Sequence, residues 1–406
     1  MKKDIIWNSL GTSAWSFLSL FLLIIVTRIN GISDSGLFSF AFAVAMIMFT
    51  ISCYGGRAYQ VSDHKNSFSV DSYISLRLLT STAVIFITVI FVLVNGYDWY
   101  KSLLIFLLVG QRVFDAIADV LYGILQKKNR LYISGKSLFY KSISSLVAFL
   151  AIDLYTSNLL LSALSLPVIS LLFIFFYDIP HSKKVENFSM KPRLTEIKRI
   201  LKSTFLPFSI ALMGLIFVNL ARYFIDIYHP NLQGYFGIIA MPLSLVVLLF
   251  SFIYTPAILS LSDSYANKDF LSIRRYIGKI TMITLTGTLL ICVATYLFGV
   301  AFMQLLFGIE FSSYLLDIIL VIIVGLAISL ISLFTSIAII ARKLRTPAAI
   351  YLLSNILLSI LCILLISPYG IRGAMIAFMV TSTAQAITMY AYYLYLIDGY
   401  SSSRKS

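Results

Sequence analysis

Runs of roughly 20 apolar residues recur from one end of this chain to the other, and no other feature limits its fold so severely. As a helix, each run is long enough to cross a hydrocarbon layer about 30 Å thick. In lipid only helices and closed barrels satisfy their own backbone hydrogen bonds. The alternating apolar and polar strands of a membrane barrel are absent, so the chain reads as all-α, a polytopic membrane protein. About twelve spans are expected, at 9–28, 36–54, 77–95, 102–125, 132–153, 156–177, 204–226, 234–256, 278–300, 312–340, 347–367 and 372–397. Only 12% of the residues are charged, about half the share in a soluble domain. No segment between spans is long enough to fold as a separate soluble domain.

The opening "MKKDIIWNSL" is followed by no small-residue cleavage site, so the first helix is read as retained. Cys53, Cys292 and Cys362 lack C-x-x-C spacing and read as small hydrophobes; no metal site is expected. The net charge is +14, and its distribution gives its meaning. With an even number of spans, most basic residues fall on the side of the N-terminus: Lys2, Lys3, Arg57, Lys65, Arg77, Lys127, Lys128, Arg130, a run from Lys183 to Lys202 that includes Lys191, then Lys268, Arg274, Arg275, Lys279, Arg342, Lys343, Arg345, Arg404 and Lys405. Arg28, Lys101, Arg222 and Arg372 fall near the other side. The positive-inside rule therefore puts both termini in the cytoplasm. Membrane lipid, anionic headgroups included, is the expected surrounding, and no nucleic-acid partner is expected.

One sizeable hydrophilic stretch, "YDIPHSKKVENFSMKPRLTEIKRILKS", divides the chain near its midpoint. The expected organisation is an N-lobe over 1–177, a basic cytoplasmic linker over 178–203 with a short surface helix from about Leu194, and a C-lobe over 204–406. The lobes read as copies. "TRINGISDSGLFSFAF" after span one matches "ARYFIDIYHPNLQGYFGIIA" after span seven. Ser62-Asp63 and Ser262-Asp263 stand 200 residues apart. "KKNR" after span four matches "RKLR" after span ten. With an even number of spans per half, the copies enter the membrane in the same sense, as in transporters built from parallel repeats.

Charges inside the spans carry the functional signal, because ionisable groups in hydrocarbon survive only beside a partner or water. On a helix of 3.6 residues per turn, Arg112, Asp115 and Asp119 share about a third of the circumference, and Tyr122 continues the stripe. Span five adds Lys136 and Lys141 among serines; span seven adds Asn219, Arg222 and Asp226. Arg112 with Asp115, and Arg222 with Asp226, can also be read as structural ion pairs, and Lys136 as a snorkelling side chain. Lys141 has no acid within four residues on its own helix, which favours a role in a lumen. Cations outnumber acids among these groups, a balance that suits an anionic cargo; phosphate takes Arg bidentately and Lys as a point charge.

"WNSLGTSAWSFLSLFLLIIVTRINGISDSGLFSFAFAVA", "YGGRAYQVSD" and "NLARYFIDIYHPNLQGYFGIIAMPLSL" resemble the O-antigen and capsule repeat-unit flippases. These are polysaccharide-biosynthesis members of the multidrug/oligosaccharidyl-lipid/polysaccharide exporter superfamily. The resemblance covers essentially the whole length. It implies two six-helix lobes around a central cavity and a cargo of undecaprenyl-pyrophosphate-linked oligosaccharide, turned across the bacterial inner membrane by alternating access. It further implies basic residues that meet the anionic headgroup, for which Arg28, Arg112, Lys141 and Arg222 are the matching candidates. Asp115, Asp119 and Asp226 are candidates for pairing or for carrying a coupling H+ or Na+; no other cofactor is expected. A polymerase and a chain-length regulator of the same pathway stand among the implied partners.

Two other transport readings stay open on the residues alone: a small-molecule or drug antiporter of the same superfamily, and a lipid II flippase. An enzyme is not expected. His64, His181 and His229 stand singly in loops, and no nucleophile-elbow, zinc-protease or phosphate-loop context occurs.

Overall fold

A computed structural model describes residues 2–63, 67–189 and 193–402. His64, Lys65, Lys191, Arg404 and Lys405, which entered the sequence reading, lie outside the described residues. Every regular element among the described residues is helical. Among the same residues, ten helical stretches are long and apolar enough to cross a membrane. Two further spans complete the expected twelve. One is α5 (Trp99–Lys127), less apolar than the ten because Lys101, Arg112, Asp115, Asp119 and Lys127 are spread along it. The other comes from the last stretch, Arg345–Ile397, which is two helices broken at Gly370.

That break has a local cause. Pro368 cannot donate to the helical ladder, and Gly370 takes φ 54°, ψ −129°, a region essentially reserved for glycine. The freed carbonyls are not left bare: His229 Nε2 lies 3.0 Å from both Ile366 O and Ser367 O. Gly373 then lets the returning helix approach so closely that a Cβ would collide with the Leu365 carbonyl.

The chain divides into two compact units, Met1–Leu215 and Ile216–Ser406. The first holds α1 (Lys2–Ile29), α2 (Ile32–Cys53), α3 (Gly56–Ser62), α4 (Val70–Asn95), α5, α6 (Leu131–Thr156) and α7 (Leu159–Phe173). A π-helical turn, Ile174–Asp178, leads from α7 into α8 (Ile179–Lys183). The expected surface helix from Leu194 is not separate. It is the first part of α9 (Leu194–Tyr228), one helix that runs through Pro207 and across the division between units. Ile197 and Ile200 dock these early turns on Tyr73, Ile74, Leu76, Val120, Leu121 and Ile124.

In the first unit α5 is the central helix, packed by α2, α3, α4 and α7, and its charges therefore meet protein rather than lipid. The α1–α6 crossing is tight: a Cβ on Gly11 would overlap the Gly135 carbonyl, and one on Gly135 would overlap the Trp7 carbonyl. Small residues of this kind let helix backbones touch in lipid. Capping follows the sequence, with Ser69 accepting from Ser72 N and Asn158 from Leu160 N and Leu161 N.

The second unit continues with α10 (Gln233–Ile239), α11 (Met241–Tyr254), α12 (Ala257–Ala266), α13 (Phe270–Ala294), α14 (Val300–Phe307), α15 (Leu315–Ile340) and α16 (Arg345–Ser402). Its internal neighbours repeat those of the first: the second and third spans of each unit pack on the fourth, which is α5 in one and α15 in the other. The chemistry of the two central helices differs. Asp317 is the sole charge on α15, and Arg372 grips it with two bonds of 2.6 and 3.0 Å. Bare apolar faces such as Leu93 and Val94 on α4, or Leu289 and Leu290 on α13, are surfaces for acyl chains.

Candidate functional site

Asp115 sits at the meeting of four helices of the first unit. Arg112 Nη1, one turn earlier on α5, donates to its Oδ2 at 2.9 Å. Lys141 Nζ on α6 donates to Oδ1 at 2.6 Å. Trp15 Nε1 on α1 reaches Oδ2 at 3.4 Å and Ser170 Oγ on α7 reaches Oδ1 at 3.5 Å. Arg112, Asp115 and Lys141 are 2%, 5% and 3% exposed, so their interactions are only weakly screened. Two cations on one carboxylate leave this triad with a surplus positive charge. The Arg112 guanidinium lies 5.0 Å from the Trp15 ring and 4.8 Å from Phe42, and its Nε is buried without a hydrogen-bond partner. An unsatisfied buried N–H costs about 1–3 kcal/mol. The triad thus combines surplus positive charge with unused donor capacity, which is the chemistry that receives an anion.

One turn further along α5, Asp119 forms a second cluster on elements the sequence reading left unconnected. Arg57 Nη1, on α3, pairs with Oδ1 at 3.3 Å, and Arg77 Nη2, on α4, pairs with Oδ2 at 3.1 Å. Arg77 also donates to Ser52 O at 3.0 Å, while Arg57 Nε and Nη2 hold Gln126 Oε1 at 3.1 and 2.9 Å. Arg77 is buried and Arg57 is about a quarter exposed. Both carboxylates on α5 are therefore committed to ion pairs.

A third group lies beneath the triad. Tyr122 OH and Ser137 Oγ are 2.9 Å apart. Both reach Asp178, Ser137 donating at 2.6 Å and Tyr122 at 3.5 Å. Sequence reasoning missed Asp178, counting it as the start of the linker. The available signal was an acid closing the apolar run "LLFIFFYD" immediately before Ile-Pro. It missed Asp153 too, which is fully buried and held by Asn30 Nδ2 at 3.2 Å and Ser162 Oγ at 2.9 Å.

Of the residues singled out in the sequence, the structure brings Arg112, Asp115 and Lys141 together and puts Asp119 in the neighbouring cluster. Lys141, which has no acid within four residues on its own helix, finds one on α5. Arg28 stands exposed at the end of α1, in neither cluster. Arg222 and Asp226 belong to the second unit, where Arg222 Nη1 lies 3.4 Å from Asn219 Oδ1 and its guanidinium 5.9 Å from the Phe236 ring. Lys136 does not reach an acid in any described pair; its ammonium rests 5.1 Å from the Trp7 ring.

No family model matches the chain. A capsular polysaccharide biosynthesis protein of Staphylococcus aureus, CapF, is 27% identical over 379 residues, covering 92% of this chain and 94% of its own length. Among solved structures, an inward-facing multidrug resistance MATE transporter of the MOP superfamily superimposes with TM-score 0.66 at 14% identity, over 98% of both chains. The chain shares its fold with this transporter. The lipid II flippase MurJ, in its inward closed conformation, shares it with TM-score 0.64 at 14% identity, over 95% of this chain and 86% of that one. A MATE transporter of Vibrio cholerae, VcmN, gives TM-score 0.61 at 14% identity. This chain is thus a multi-pass membrane protein that shares its fold with MATE and MurJ structures and is similar to a capsular polysaccharide biosynthesis protein.

Proposed function

We propose that the chain is a flippase that carries undecaprenyl-pyrophosphate-linked oligosaccharide repeat units of a surface polysaccharide across the bacterial cytoplasmic membrane by alternating access. The observation that carries the reading is the Arg112–Asp115–Lys141 triad. It is a buried, cation-rich group with a guanidinium N–H to spare, inside a fold shared with lipid and drug transporters. A pyrophosphate head supplies the acceptors and negative charge that such a group lacks. Low-dielectric surroundings strengthen each of these interactions, which lowers the barrier to passing a charged head through lipid. Similarity to a capsule biosynthesis protein supports the polysaccharide pathway, with its polymerase and chain-length regulator as partners. The bias of the basic residues toward one side supports a topology with both termini in the cytoplasm. The chemistry asked of the protein is binding and movement, with no covalent step and no nucleic acid.

The test is complementation of a strain lacking this gene. Arg112→Ala, Lys141→Ala and Arg222→Ala should abolish surface polysaccharide and leave lipid-linked repeat units accumulating in the inner leaflet, with the protein still in the membrane. Normal polysaccharide from membrane-inserted Arg112→Ala and Lys141→Ala would refute the assignment. Sensitivity to drugs in the deletion strain, with polysaccharide unaffected, would point to an antiporter instead.

A further inference from the structure

Asp178 is 1% exposed, and among the described residues it forms no ion pair. Its hydrogen-bond partners are two hydroxyls, Ser137 Oγ at 2.6 Å and Tyr122 OH at 3.5 Å. An ionised carboxylate withdrawn from water without a counter-ion costs several kcal/mol, and neutralisation is the usual escape. The charged and titratable groups around it come from three elements. Tyr122 and Asp115 face it from α5, Lys141 faces it from α6, and Tyr177 adjoins it on its own helix. Lys141 stands one turn beyond Ser137 and is the cation nearest in effect, but its ammonium is held by Asp115 at 2.6 Å. Asp178 also closes the π-helical turn Ile174–Asp178, a departure from α-helix that recurs at functional sites. Asp115 and Asp119, the span carboxylates that first suggest themselves for coupling, are each held by two cations; Asp178 is not.

We infer that Asp178 is a proton-binding site, and that its protonation switches the buried group Arg112–Asp115–Lys141–Asp178 from electrically neutral to singly positive, so that an anionic cargo and a proton bind together. The anion part of this inference rests on the function proposed above. The step is a simple transfer: hydronium gives its proton to a carboxylate oxygen of Asp178, an O–H bond forms there, and water is left. With Asp178 neutral, both cations serve one carboxylate and the incoming anion; with Asp178 ionised, Lys141 has two acids to satisfy and the anion is released. Proton binding on one side of the membrane and loss on the other would then give transport its direction.

Two measurements on the purified full-length protein test this. In infrared spectra, the C=O stretch of a protonated carboxyl should be present in the wild type and fade as pH rises, and Asp178→Asn should lack it. Binding of inorganic pyrophosphate should weaken about tenfold per pH unit above that titration in the wild type. Asp178→Asn, a permanently neutral side chain, should lose that slope, the probe's own ionisation being common to both proteins. If Asp178→Asn fails to fold, Ser137→Ala replaces it: removing a donor to the ionised form should hold the carboxyl band to higher pH. Persistence of the band in Asp178→Asn, its absence from the wild type at every pH, an unchanged band in Ser137→Ala, or an unaltered pyrophosphate slope in Asp178→Asn would each overturn the inference. Because the band needs no ligand, a protein that shows it yet binds no pyrophosphate would sink the cargo reading and leave the proton site standing.

Discussion

Replacing Lys141 by Met separates charge from structure in the triad. The substitution keeps the volume and apolar stem of the side chain and leaves Arg112–Asp115 paired at 2.9 Å. With Asp178 neutral, the triad then falls from singly positive to neutral. A unit charge acting on a phosphate oxygen at ~4 Å, with an effective dielectric constant of ~20, is worth about 4 kcal/mol, or roughly a thousandfold in affinity. Desolvation makes that an upper bound, so a loss between about tenfold and a thousandfold is expected. Stability should change far less, since no buried charge is stranded. The decisive variant is the double mutant Lys141→Met with Asp115→Asn, in which Arg112 alone restores the single positive charge. Titration calorimetry with pyrophosphate should show weak binding by Lys141→Met and recovery of most of it in the double mutant. Wild-type affinity in Lys141→Met, or no recovery in a folded double mutant, would refute an electrostatic role.

Arg77→Gln should destabilise the first unit by about 1–3 kcal/mol, because it removes the buried partner of Asp119 and the donor to Ser52 O while Arg57 stays on the carboxylate, whereas Arg57→Gln, about a quarter exposed, should cost under about 1 kcal/mol; thermal unfolding in detergent ranks the two. Gly135→Val should disrupt the α1–α6 crossing, where the Trp7 carbonyl occupies the space a side chain would need, and the expected result is loss of folded protein in size-exclusion profiles with Gly278→Val, which meets open space, as the tolerant control. Burial alone would raise the Asp63 carboxyl, but the Ser67 and Phe68 N–H groups bonded to it outweigh that and hold it below its usual range. Its stabilising effect is therefore present above the carboxyl value of the unfolded chain and is lost as pH falls through the lower, folded one, so Asp63→Asn should flatten the acid limb of the stability profile; an acid limb unchanged from wild type would contradict this.

The spans, their approximate number and the polar stripe on α5 were legible in the sequence because they depend on local composition and helical periodicity. Arg112 with Asp115 was legible for the same reason, being one turn apart. Partners on different helices were not. Lys141 with Asp115, Arg57 and Arg77 with Asp119, and Ser137 with Asp178 each depend on how far one helix is rotated and shifted against another, and apolar periodicity leaves that free when every face is greasy. Arg77 and Asp178 illustrate the limit most clearly: both lie near span ends, where a charge ordinarily reaches water, yet both are turned inward and buried.

The polar stripe of α5 also bears on how the protein is made. Each Arg or Asp at the centre of an isolated helix opposes transfer from the translocon into lipid by about 2.5–3.5 kcal/mol, and α5 carries three such groups, Arg112, Asp115 and Asp119. Arg77, on the helix synthesised just before it, is already available to receive Asp119. Lys141 is translated later, so Asp115 must wait for α6 before its second partner arrives. Nascent α4, α5 and α6 therefore have reason to leave the translocon as one packet, and a ribosome stalled shortly after Lys127 would hold a segment that lipid alone does not readily accept.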